Sequence, residues 1–139
     1  MGKNIYIGQK ASILKIVSDE DVKQFAELTG DYNYLHLDLD RAKESMFGDR
    51  VCHGMLVNSY ISTVLGTCLP GEGTIYLEQN TKFLQPVFLN EEITITVEVE
   101  YINKKNGIIT LKTDITKEGN IAVVVGKAVV MCKDIIVCD

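Results

Sequence analysis

Met55-Leu56-Val57-Asn58-Ser59-Tyr60-Ile61-Ser62-Thr63-Val64-Leu65-Gly66-Thr67 carries no charge. As a helix it puts apolar side chains on nearly every face, and its polar residues are all uncharged. A helix of that kind belongs inside a protein. Leu69-Pro70-Gly71-Glu72-Gly73 ends it firmly. Whatever surrounds this helix must supply an apolar lining, and the sequence after it reads as sheet.

Downstream, Thr74 to Leu77 and Lys82 to Val87 are expected as two strands, with Pro86 marking an edge or bulge. Glu92 to Ile102 alternates strictly: Ile93, Ile95, Val97, Val99 and Tyr101 on one face, Thr94, Thr96, Glu98 and Glu100 on the other. Asn103-Lys104-Lys105-Asn106-Gly107 is a hairpin turn. Ile109, Leu111, Thr113 and Ile115 repeat the alternation, and Glu118-Gly119-Asn120 turns the chain again. Ile121 to Met131 is nearly continuous in apolar residues, which predicts a central strand covered on both faces.

Upstream, Ile5 to Ile7 is extended and Ala11 to Val17 is expected as a strand. Ser18 caps a helix whose first turn holds Asp19, Glu20 and Asp21, where negative charge suits the helix dipole. Val22, Phe25, Ala26 and Thr29 form its apolar stripe, and Gly30 ends it. A non-periodic segment, Asp31 to His36, leads to a second short helix over Asp38 to Met46, stopped by Gly48. Asp49 to Gly54 is a turn. One buried helix and a long antiparallel meander make an α+β fold, a sheet wrapped around a helix. Residues 1–139 form a single domain. A sheet facing one helix leaves a face or an edge uncovered, and a homodimer about a two-fold axis is the economical cover.

Composition narrows the function. The chain is 46% hydrophobic and 24% charged, which excludes disorder. A net charge of −5 argues against nucleic acid as a partner, since phosphates need a basic surface. No run approaches the ~18 apolar residues of a membrane span. The stretch Met1 to Tyr6 lacks the pattern of a secretory signal, so a cytoplasmic location is expected. Cys52, Cys68, Cys132 and Cys138 form no CxxC pair and are expected as reduced thiols. Phosphate-loop, HExxH and GxSxG patterns are absent from the sequence, and no metal site is expected. Lys104 and Lys105 sit on a hairpin tip, and Glu98 and Glu100 on a solvated strand face.

Both histidines, His36 and His53, lie between the first helix and the buried one. Asp31 and His36 share a short non-helical segment. A carboxylate and an imidazole held together can do general acid–base work, because one takes a proton while the other gives one. A turn-making Asp beside a surface His is the plainer alternative, and Asn33 suits either. His53-Gly54 stands immediately ahead of the buried helix. Unpaired amides at a helix start can stabilise an oxyanion, and Gly lets a ligand approach. A tight turn would need the same Gly. Ser62 is expected to face inward, where its hydroxyl pairs with a site carboxylate or with a helix carbonyl.

Phe25-Ala26-Glu27-Leu28-Thr29-Gly30-Asp31-Tyr32-Asn33-Tyr34-Leu35-His36, followed by Ala42, resembles the signature of the MaoC-like, (R)-specific enoyl-CoA hydratases. His53-Gly54-Met55-Leu56 matches a second block. Leu69-Pro70-Gly71-Glu72-Gly73 with Phe83-Leu84-Gln85-Pro86-Val87 matches a third. The family's usual Pro before the aliphatic residue and His is Tyr34 here. The resemblance implies the hot-dog fold, a dimer, and reversible hydration of a trans-2-enoyl-CoA to the (3R)-3-hydroxyacyl-CoA. It implies Asp31 and His36 acting on one water, the Gly54 amide holding the thioester carbonyl, and Ser62 orienting Asp31 or His36. Asn33 and His53 are the further substrate-binding or orienting candidates. The CoA thioester is the substrate, and neither a metal nor a cofactor is needed. Acyl-carrier-protein dehydratases and thioesterases share the scaffold, as would a non-catalytic acyl-thioester binder.

Overall fold

The computed structural model describes residues 2–138. The chain runs β1 (Lys3–Ile5), β2 (Lys10–Ile16), α1 (Asp19–Thr29), α2 (Tyr34–Leu37), α3 (Leu39–Lys43), α4 (Gly54–Thr67), β3 (Ile75–Phe83), β4 (Glu92–Asn103), β5 (Ile108–Lys117), β6 (Ile121–Met131) and β7 (Ile135–Val137). Five strands form one antiparallel sheet in the order β2-β4-β5-β6-β3. β1 and β7 pair in parallel as a small separate sheet.

The alternation in β4 sets the core. Ile93, Ile95, Val97 and Val99 are buried on the inner face, opposite Ile109, Leu111 and Ile115 of β5 or their neighbours. They enclose Leu56, Val57, Ile61, Val64 and Leu65 of α4. Each such side chain contributes about 1.5–3 kcal/mol on leaving water, so this layer dominates the stability.

α4 is not buried all round, as its composition led one to expect. Met55, Ser59 and Ser62 lie on one exposed stripe, because a single sheet covers only one side of the helix. β6 is likewise interior to the sheet but covered on one face only: Lys127 and Ile121 remain exposed. The two strands expected around residues 74–87 are one edge strand, β3, with Pro86 in the loop beyond it. Its polar middle, Glu78 to Thr81, hid the continuity of the two ends. Gln79 donates to Thr113 Oγ1 at 3.0 Å and Thr81 to Asn58 Oδ1 at 2.9 Å, so these inward polar residues are paired. A bulge between Tyr76 and Glu78 breaks the alternation as well.

α1 forms as its ends dictate. Ser18 Oγ accepts from the Asp21 amide and Asp21 Oδ2 accepts from the Ser18 amide, both at 3.1 Å. Gly30 closes the helix at φ 82°, a left-handed conformation that a side chain would resist. The chain then leaves the sheet layer and crosses towards the start of α4.

Candidate active site

The segment after Gly30 is more regular than its sequence suggested. Asn33 Oδ1 accepts from the Leu35 amide at 3.1 Å and caps α2, a single turn that carries His36. Asp38 caps α3 through the Arg41 amide at 3.2 Å, so the expected helix from Asp38 to Met46 is only Leu39–Lys43. Asn33 therefore orients His36 through the backbone. Short caps of this kind carry no 3.6-residue periodicity, and only the Asx pattern could have signalled them.

Tyr34 occupies the first helical position of α2, where proline is favoured because its fixed φ suits the helix and its missing amide is unpaired there anyway. Asn33 already holds ψ 131°, the extended value that a following proline favours. Tyr34 supplies instead a ring beneath the Arg41 guanidinium, 4.1 Å from its centroid. The turn is thus kept by the Asn33 cap and this contact, and His36 stays in position without the proline.

His36 is 9% exposed. Its Nδ1 lies 2.7 Å from the Val51 carbonyl oxygen. A carbonyl only accepts, so Nδ1 carries the proton and, in the neutral ring, Nε2 keeps a lone pair. Burial is the largest influence on His36 and pushes its pKa below the usual 6.5, against the opposing pull of the Val51 hydrogen bond. Arg50 fixes the backbone behind it: Nε donates to the His36 carbonyl at 2.7 Å and an outer nitrogen to Asp19 at 2.6 Å. That clamp ties α2 to the first turn of α1.

Asp31 is exposed, and its carboxylate accepts from the Asn33 amide at 3.3 Å. A carboxylate oxygen of Asp31 and one ring nitrogen each of His36 and His53 lie within 4.8 Å of one another. No hydrogen bond joins Asp31 to His36 among the described residues; a single water can touch both at ordinary distances. The rings of His36 and His53 stack with centroids 3.8 Å apart and planes 28° off parallel. With Nδ1 of His36 and Nε2 of His53 both turned to backbone carbonyls, each neutral ring keeps one lone pair, on His36 Nε2 and on His53 Nδ1.

His53 is the N-cap of α4, and no side chain caps that end. The first-turn amides, beginning with Gly54, have no partner within the helix. Gly54 and His36 open on one cavity of about 330 Å³, walled by Leu35, Phe47, Val57 and Phe83. A methyl group at Gly54 would stand 3.1 Å from the Phe83 ring, so glycine leaves the amide open beneath that ring. Cys52 also lines the cavity, its thiol pushed up to about 12 by burial and therefore inert at neutral pH.

Asp31, His36, His53 and Gly54 are thus brought together, with Asn33 behind them. Ser62 is not. It is exposed on the uncovered stripe of α4 that lies beside the edge strand β3, in a separate groove with Asn58, Tyr76 and Gln79. The inward position read for Ser62 is corrected, since one sheet covers only the other side of the helix. Within one chain Ser62 does not touch Asp31 or His36. Arg50 and Val51, which hold His36 from behind, went unnoticed in the sequence. The Arg50 and Val51 contacts are made across 14 and 15 residues, and no local pattern signals them.

Residues 7–121 match the family described as MaoC like domain. An (R)-specific enoyl-CoA hydratase of Rhodospirillum rubrum is 40% identical over 129 residues, 93% of this chain and 89% of that protein. The enzyme of the same name from Aeromonas caviae is 41% identical over 128 residues, 92% and 96% of the two chains. The solved (R)-hydratase of A. caviae superposes with a TM-score of 0.87 at 42% identity, covering 90% of this chain and 95% of that one. The five-stranded sheet around α4 is accordingly a hot-dog fold. With matched sequence over most of its length and the same architecture, the chain belongs to the MaoC-like family.

Proposed function

We propose that this protein is a hydro-lyase that reversibly hydrates trans-2-enoyl-CoA thioesters of short to medium chain to the (3R)-3-hydroxyacyl-CoA. The observation that carries the reading is the fixed tautomer of His36. With Nδ1–H given to Val51, Nε2 is free to take a proton, and a ring nitrogen of His36 lies within 4.8 Å of an Asp31 carboxylate oxygen. A water between them donates one hydrogen to Nε2 and the other, as a hydrogen bond, to Asp31. As the O–H bond to the first hydrogen breaks, the oxygen bonds to C3. The C2–C3 π electrons move into the thioester, giving an enolate whose oxygen is held by the Gly54 amide. A well-placed donor of that kind is worth roughly 3 kcal/mol to the transition state. Nε2 then returns its proton to C2, and His36 ends as it began. Every electron pair is accounted for and no redox change occurs, so the reaction calls for no cofactor.

Two relatives at 40% and 41% identity that are named as enoyl-CoA hydratases support this reaction over hydrolysis. A plant 3-hydroxyacyl-[acyl-carrier-protein] dehydratase, from Arabidopsis thaliana, is more distant at 31%. The test is loss of the conjugated enoyl-thioester absorbance of crotonyl-CoA, followed by chiral analysis of the product. The expected result is (3R)-hydroxybutyryl-CoA with no free thiol. Thiol release would make it a thioesterase, and binding without change would make it a non-catalytic carrier.

The same reading includes a homodimer. Among the described residues β3 pairs only with β6 and is an edge strand with Ile75 and Leu77 exposed, and the uncharged stripe of α4 lies beside it. A second copy adding its own β3 would continue the sheet and cover both. Light scattering on a size-exclusion column should give twice the chain mass, and the mass of one chain would refute this.

A further inference from the structure

His53 is 1% exposed, and its imidazole packs against two rings: Phe25 at 4.8 Å between centroids and His36 at 3.8 Å. Its Nε2 lies 3.0 Å from the Asp31 backbone oxygen. That carbonyl can only accept, so Nε2–H donates. The other hydrogen bonds of Asp31 stay inside its own segment. Its amide reaches Thr29 Oγ1 at 3.3 Å, and its carboxylate accepts from Asn33 at 3.3 Å. Both are long. Among the described residues, the bond from His53 is therefore the one that ties Asp31 to the body of the fold.

The same residue begins α4, where its carbonyl accepts from the Val57 amide at 3.1 Å. Asp31, the His36 ring and the helix start that bears Gly54 thus all meet at one side chain. Packing alone would not select histidine here. Its Nδ1 is buried with no hydrogen-bond partner among the described residues, a cost that Phe or Met would avoid.

We propose that His53 is a positioning residue, which sets the spacing of the Asp31 carboxylate, the His36 ring and the Gly54 amide through its hydrogen bond to Asp31. The consequence for turnover rests on the hydratase reading above; the tether itself does not. His53→Phe keeps a stacking ring and removes the donor, whereas His53→Gln places an amide N–H near the Nε2 position.

The experiment compares the two by amide hydrogen exchange over residues 31–36 and by kinetics on crotonyl-CoA. His53→Phe should speed exchange across that segment and lower kcat about 30-fold with KM within about twofold, the cost of a misplaced group. His53→Gln should restore protection and most of kcat. Wild-type exchange and kcat in His53→Phe would overturn the proposal, as would equal impairment of both variants, which would leave only ring packing. Should His53→Phe fail to fold, His53→Met is the donor-free partner to compare with His53→Gln. A wild-type enzyme inert on enoyl thioesters would fail the hydratase reading, and the exchange difference would still decide the tether.

Discussion

Substituting His36 by Gln is expected to lower kcat on crotonyl-CoA by about 1000-fold, within the range for loss of a general base. Gln fits the space of the ring, but neither its amide nitrogen nor its amide oxygen is basic enough to take a proton from water. KM should hardly move, because the cavity walls and the Gly54 amide are untouched. The pH profile carries a second check. Burial disfavours the charged imidazole, and the nearby His53 and Arg50 oppose it too, while the Val51 carbonyl and Asp31 favour it; the net direction is down. In the proposed mechanism the neutral ring is the active form, so activity should be lost as pH falls through this lowered pKa. In the wild-type enzyme, kcat/KM should stay level through neutral pH and fall with a midpoint below 6.5. A midpoint above that value, or a His36→Gln enzyme within tenfold of wild type, would remove His36 from its role.

The parts of the fold that were legible are those where one periodicity decides. β4 and β5 alternate because one face meets α4 and the other water, and their ends fell within a few residues of expectation. β3 was not legible. Its inward Gln79 and Thr81 are polar because they bond to Thr113 and Asn58, partners that only the folded sheet brings near. The site divides in the same way. Asp31, Asn33, His36 and Gly54 stand close to turns and caps whose residue types announce themselves; His36 and Gly54 line the cavity, Asn33 caps the turn that carries His36, and the Asp31 carboxylate lies beside the His36 ring outside the cavity wall. The exposure of Ser62 depends on which side of α4 the sheet covers, and an uncharged helix leaves that side undetermined. Arg50 belongs to the same class of residue. It matters through the His36 carbonyl and the Asp19 carboxylate, two groups far apart in sequence.

Asp31→Asn should cost about 100-fold in kcat, less than His36→Gln, because it removes an acceptor that orients the water and not the base itself. Asn is isosteric, and its Oδ1 can still accept from the Asn33 amide. The backbone bond from His53 is unaffected, so folding and melting temperature should be unchanged. Electrostatics adds a sign that mere disruption would not produce. The Asp31 charge holds the His36 pKa up, against burial. Neutralising it lowers that pKa further, so the acid limb of the Asp31→Asn profile should move to lower pH even as the plateau drops. A limb shifted upward would mean that Asp31 does not face His36 in the working enzyme. The double variant completes the case. In the proposed mechanism Asp31 and His36 serve one water, and groups that act as a unit lose their effects together, not in sum. Asp31→Asn combined with His36→Gln should therefore be little worse than His36→Gln alone, and fully multiplicative losses would mean two independent sites of action.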